Sequence, residues 1–173
     1  MPKTRRLALM AMFTAASLIV FVIEAQIPAP IPVPGVKLGL ANIVTLIAMV
    51  MLGRREAGLI LLVRIAMGSV FTGGVSAFIF SIAGGALAYA VMCLTLRPFS
   101  GKLLWVVSVF GAVAHNLGQL CAAVLITKTA SLFLYAPVLL ASAIVTGVFT
   151  GFAAMYLIRR LDKTVQEYYN AIT

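Results

Sequence analysis

The sequence predicts an all-α membrane protein: six transmembrane helices, both termini cytoplasmic, and a proline-rich extended loop between helices 1 and 2. Three observations lead there. Of the 173 residues, 63% are hydrophobic and 10% charged, whereas a soluble domain is about half apolar and about a quarter charged. That length suits about six spans of roughly 20 residues each. The basic residues also separate by side. Six crossings place Lys3, Arg5, Arg6, Arg54, Arg55, Arg97, Lys102, Arg159, Arg160 and Lys163 on one side, and only Lys37 and Lys128 on the other. This split puts both termini in the cytoplasm of a plasma-membrane protein. It also accounts for the net charge of +9, so no nucleic-acid partner is expected.

The third observation is the stretch from Glu24 to Asn42, with prolines at 28, 30, 32 and 34 followed by Gly35 and Lys37. Proline at every second residue cannot be helical, because each ring removes a donor and holds its predecessor extended. The stretch is therefore read as a stiff strap that sits over, or dips into, a cavity between the helices.

The expected spans are 7–27, 38–52, 57–72, 76–96, 103–126 and 132–158, with 159–173 as a cytoplasmic amphipathic tail. The first follows a basic start and lacks a small-x-small cleavage pattern at Ala25-Gln26-Ile27, so it is expected to stay as a helix. The second is short for a crossing and follows the strap. Gly53-Arg54-Arg55-Glu56 forms a charged turn before the third, and Thr72-Gly73-Gly74 ends it. Arg97-Pro98 closes the fourth, Lys128 the fifth, and Pro137 falls in the first turns of the sixth. In the tail Leu161, Val165, Tyr168 and Ile172 share a helical stripe, the pattern of a helix lying on a surface. Cys93 and Cys121 lie in apolar segments without metal-ligand spacing and are read as reduced packing residues.

Few polar residues interrupt these segments, and each needs a reason. Arg64 sits within the third span, where an arginine costs about 2.5–3.5 kcal/mol at mid-membrane. Three readings apply: a salt bridge to Glu24, a ligand-anion contact, or snorkelling. His115, Asn116 and Gln119 fall within five residues of the fifth span. They are either interhelical hydrogen-bond partners or the lining of a binding cavity. Lys37 is an interfacial anchor or a charge at the cavity mouth, and Asn42 a polar contact at the start of helix 2 or a ligand group. The substrate-binding candidates are thus Arg64, His115, Asn116, Gln119, Glu24, Lys37 and Asn42. No metal or other cofactor is expected. A Walker loop, a GxSxG elbow and a phosphate-cradling glycine run are all missing, and Asp162 is the one aspartate. Prenyl synthases hold magnesium through two aspartate-rich motifs, so the chain is not expected to be an enzyme on its own.

Several motifs resemble one family. Pro30 to Ile43 (PIPVPGVKLGLANI), Ala112 to Leu120 (AVAHNLGQL), Tyr135-Ala136-Pro137, and Thr146-Gly147 with Gly151 are similar to the S components of energy-coupling-factor (ECF) transporters. Within these, they most resemble the branch known as the Gx transporter or heptaprenyl diphosphate synthase component I family. The resemblance covers nearly the whole chain. It implies a six-helix bundle that binds a small vitamin-like molecule at its outer side beneath the loop after helix 1. It also implies a membrane scaffold subunit, docked on alanines of helix 1 and coupled to two cytoplasmic ATPases. Ala11 and Ala15 fit the AxxxA spacing, and Ala8 shares their face. The alternative is a non-catalytic membrane subunit working with a polyprenyl diphosphate synthase. A stand-alone secondary transporter is a third reading, disfavoured by the lack of an inverted repeat.

Overall fold

The computed structural model describes residues 3–27, 37–72, 75–99 and 101–160. The strap prolines and the amphipathic tail expected over 161–173 lie outside the described residues. Within them the chain is helical: α1 (Lys3–Ala25), α2 (Asn42–Met51), α3 (Arg54–Thr72), α4 (Val75–Thr95), α5 (Leu104–Thr127) and α6 (Ala136–Arg160), with short 3-10 helices over Gly101–Leu103 and Ala130–Tyr135. Four of these stretches are long and apolar enough to cross a membrane: Lys3–Ala25, Val75–Thr95, Gly101–Thr127 and Ala130–Arg160. The protein is a membrane protein by that measure. Pro137 occupies the first turn of α6, where its missing N–H breaks no helical bond.

One expectation needs correction. Helix 2 does not begin at 38 but at Asn42 and ends at Met51, about 15 Å of helix in a hydrocarbon layer of ~30 Å. Gly39 has φ +82, a left-handed conformation that a helix cannot pass through. Residues 37–39 are therefore irregular, followed by a turn at Leu40 and Ala41. The short helix is nonetheless the centre of the molecule, in contact with each of the other five. Its sequence, NIVTLIAMVM, is apolar nearly all round, and every residue from Val44 to Val50 is buried. A helix without a polar face needs neighbours on all sides. Leu46, Met49 and Val50 pack with Ile60 of α3, Met92 of α4, Val107 of α5 and Ile158 of α6 in one core.

Small residues allow α4, α5 and α6 to approach closely. A Cβ on Gly118 of α5 would stand 2.6 Å from the Ala83 carbonyl oxygen of α4, and one on Gly151 of α6 would stand 2.6 Å from Trp105 Cα of α5. The Gly84/Ala88 and Gly147/Gly151 ladders thus serve internal packing. Ala8, Ala11 and Ala15 do not: all three are exposed on α1, which packs only on α2 and α3 among the described helices. Both cysteines are free.

The close approach at Gly118 sets a stability test. Gly118→Val should destabilise the bundle by about 1–3 kcal/mol through overpacking, read as a lowered melting temperature in detergent. Cys121→Ala, at an exposed neighbour one turn away, should stay within about 0.5 kcal/mol of the parent.

Candidate functional site

The irregular segment before α2 brings the polar residues together. In an apolar layer every backbone N–H outside a helix needs a partner. The N–H groups of Gly39 and Ala41 both donate to the Glu24 carboxylate, the second at 3.3 Å. The Lys37 N–H donates to Gln119 Oε1 at 2.9 Å. Glu24, at the far end of α1, thereby pairs two N–H groups of the turn that leads into α2, whose own first N–H groups bond back to the Gly39, Leu40 and Ala41 carbonyls. Asn42 does not cap: both its amide atoms are buried and without a hydrogen-bond partner among the described residues.

Around this segment lie the other candidates. Gly39 packs on the His115 ring; a Cβ there would stand 2.9 Å from His115 Cδ2 and 3.0 Å from Asn42 Nδ2. Gly84 of α4 meets the opposite edge, its notional Cβ 2.9 Å from His115 Nδ1 and 2.8 Å from Gln119 Cγ. A Cβ on the next residue, Gly85, would stand 3.6 Å from an Arg64 guanidinium nitrogen. Glu24, Lys37 and Arg64 lie close enough for their charges to act on one another, and those of Arg64 and Lys37 reach His115. Glu24, Arg64, His115 and Gln119 are each 96% or more buried. The structure therefore brings six candidates into one cluster: Glu24, Lys37, Asn42, Arg64, His115 and Gln119.

Asn116 stands apart. Its amide donates to the Leu139 carbonyl of α6 at 2.9 Å, which makes it a helix-to-helix link; one residue is about 100° of helix rotation, enough to send it to another neighbour. The Arg64–Glu24 salt bridge is also corrected. The one ion pair among the described residues joins Arg6 and Glu56, and Glu24 spends its oxygens on amides. Nor does Arg64 snorkel, being 2% exposed.

The guanidinium instead shares an aromatic face. Phe21 carries Lys37 Nζ 3.4 Å from its ring centroid and Arg64 Cζ at 5.5 Å, two cations on one quadrupole. Sequence reasoning missed Phe21, which the structure groups with Ser17 and Glu24 as the buried residues of α1, one stripe opposite the alanines. The cluster is also short of partners. Lys37 Nζ, Arg64 Nε, both Asn42 amide atoms, Thr45 Oγ1 and Ser17 Oγ are buried without a hydrogen bond among the described residues. Buried polar atoms are nearly always paired, which makes this cluster the candidate site. Among the described residues no three His, Cys, Asp or Glu side chains gather at metal-ligand distance.

Removing the Glu24 carboxylate tests this framework. Glu24→Ala leaves two buried amides unpaired at about 1–3 kcal/mol each and should lower the melting temperature sharply. Glu24→Gln keeps one acceptor oxygen and should recover part of the loss.

No curated protein and no solved structure matches the chain. A family model described as heptaprenyl diphosphate synthase component I matches residues 13–157, a span that takes in α2–α5 whole, most of α1 and α6, and every residue of the cluster. The chain belongs to the heptaprenyl diphosphate synthase component I family.

Proposed function

We propose that the protein is the substrate-binding component of an ECF-type importer, non-enzymatic itself, which captures a small anionic solute at the outer face of the plasma membrane. One observation carries this reading: the Lys37 ammonium and Arg64 are buried against one Phe21 ring while the nearest acid, Glu24, is already occupied by two amides. The cluster thus holds one positive charge more than it neutralises. In a low-dielectric interior that surplus favours an anion far more strongly than it would in water, and a carboxylate can take a guanidinium in paired hydrogen bonds. His115, Gln119 and Asn42 would orient the solute's polar part.

Six crossings with both termini cytoplasmic agree with the basic residues: Arg6, Arg54, Arg55 and Arg97 line one cleft at the end of the bundle away from Glu24. The irregular segment and α2 would together make up the second crossing, in the manner of a broken helix. The exposed Ala8, Ala11 and Ala15 offer a close-packing face to a membrane scaffold subunit, itself coupled to two ATPases. The family description favours a second reading, a membrane subunit associated with a polyprenyl diphosphate synthase, which would dock at the arginine end. A pull-down from native membranes separates the two: a scaffold and ATPases support the importer, whereas a prenyl synthase in their place overturns it.

Two outcomes follow for the site. Arg64→Ala should abolish retention of the solute that co-purifies with the wild type while leaving a folded bundle; unchanged retention contradicts the role. Lys37→Gln should weaken retention of an anionic solute, and Lys37→Arg, whose guanidinium keeps the positive charge, should restore part of it.

A further inference from the structure

Assigning a solute anion to Lys37 and Arg64 leaves part of the cluster unused. Asn42 and Thr45 lie one turn apart on one face of α2, 7% and 1% exposed. Neither Asn42 amide atom has a hydrogen-bond partner among the described residues, and the Thr45 hydroxyl has none either. A threonine inside a helix can return its hydroxyl to the carbonyl four residues back. Thr14, Thr95, Thr127, Thr146 and Thr150 all do so. Thr45 does not, so the first turn of α2 carries an amide and a hydroxyl that the fold itself does not use.

Asn42 is placed beside the charged residues by the turn before it. A Cβ on Gly39 would stand 3.0 Å from Asn42 Nδ2 and 2.9 Å from His115 Cδ2, so the amide and the imidazole meet the same point of the backbone. The Glu24 carboxylate holds that turn through the N–H groups of Gly39 and Ala41. A carboxamide presents donors and an acceptor in one plane, whereas a carboxylate only accepts. Asn42 is therefore a poor receiver for the solute's acid, which would pair with Nδ2 and set its second oxygen against Oδ1. The group that satisfies both ends is neutral and flat, with a donor beside an acceptor.

We propose that the anion captured at this site also carries a cyclic amide or ureide edge, read by Asn42 with Thr45 as the second contact. The inference rests on the anion-capture reading and adds a neutral recognition element to it. Lys37 and Arg64 attract acids as a class; Asn42 chooses among them. Apolar walls discriminate weakly between ligands of similar shape, but a site built to hydrogen-bond its ligand rejects one that leaves those bonds unmade.

Equilibrium dialysis of the full chain in neutral detergent, washed free of small molecules, tests this with matched acids. Orotate and 5-oxoproline carry a ureide or lactam edge; benzoate and cyclopentanecarboxylate have rings of the same size and no such edge. At least one edge-bearing acid should bind about tenfold or more tightly than its matched acid. Asn42→Leu should abolish that preference by weakening the edge-bearing acid, and Thr45→Val should reduce it. Arg64→Gln should weaken both members of each pair together. The melting temperature separates recognition from packing. With no internal hydrogen bond to lose, Asn42→Leu should leave the solute-free protein at least as stable as the parent. Acids retained with no preference for the edge, or a preference that survives Asn42→Leu, would overturn the inference and leave anion capture standing. A sharply lowered melting temperature in both Asn42→Leu and Asn42→Ala would overturn it too, because the amide would then be paired within the protein. If the wild type retains no acid at all, anion capture itself is overturned and the inference goes with it.

Discussion

Two amides and one carboxylate set the arrangement of this molecule. An apolar layer tolerates irregular backbone only where protein supplies the hydrogen bonds that water would give. Here α1 and α5 supply them across the bundle: Glu24 accepts from Gly39 and Ala41, and Gln119 accepts from Lys37. Because these bonds exist, α2 can begin part-way through the bundle. Because α2 begins there, the segment before it meets α1 and α5, with Gly39 and Ala41 buried and Lys37, Leu38 and Leu40 partly exposed. The polar cluster follows from that geometry, since Gly39 brings the chain onto His115 and Asn42.

The same bonds fix the electrostatic character of the site. A glutamate beside an arginine and a lysine would ordinarily neutralise one of them. With its oxygens held by backbone donors, Glu24 acts on both cations from outside contact distance, and Phe21 takes over the role of partner. A ring face is a weaker partner than a carboxylate, and a ligand carboxylate can displace it. Among the described residues Lys37 Nζ, Arg64 Nε and both Asn42 amide atoms have no hydrogen-bond partner.

Much of this was legible in the sequence, for definable reasons. Five of the six helices follow from apolar runs bounded by charge, proline or glycine. The start of the second was misplaced by four residues, because Leu38 to Ala41 looks like helix unless one knows that Gly39 has a positive φ. Arg64, His115 and Gln119 could be found because polar atoms in oil demand an account. Asn116 was grouped with them by proximity in sequence, although the helical rotation between neighbours sends it to α6. Phe21 was invisible for the opposite reason: an aromatic in an apolar run carries no signal until its polar neighbours are known. The pairing of Glu24 with amides could not be foreseen, since composition suggests only charge partners and backbone donors leave no mark on a sequence.

The two ends of the bundle thus have different chemistry, a buried cationic cluster around the start of α2 and an open arginine cleft. The claim on which the account rests is that the buried cluster is a place for an anion. Mass spectrometry of the small molecules released by denaturing the freshly purified protein tests it most directly. The account predicts a stoichiometric acidic solute, carboxylate- or phosphate-bearing, released from the wild type and missing from preparations of a folded Arg64 variant. A neutral or cationic solute, or the same acidic solute released in equal amount from both proteins, would contradict it.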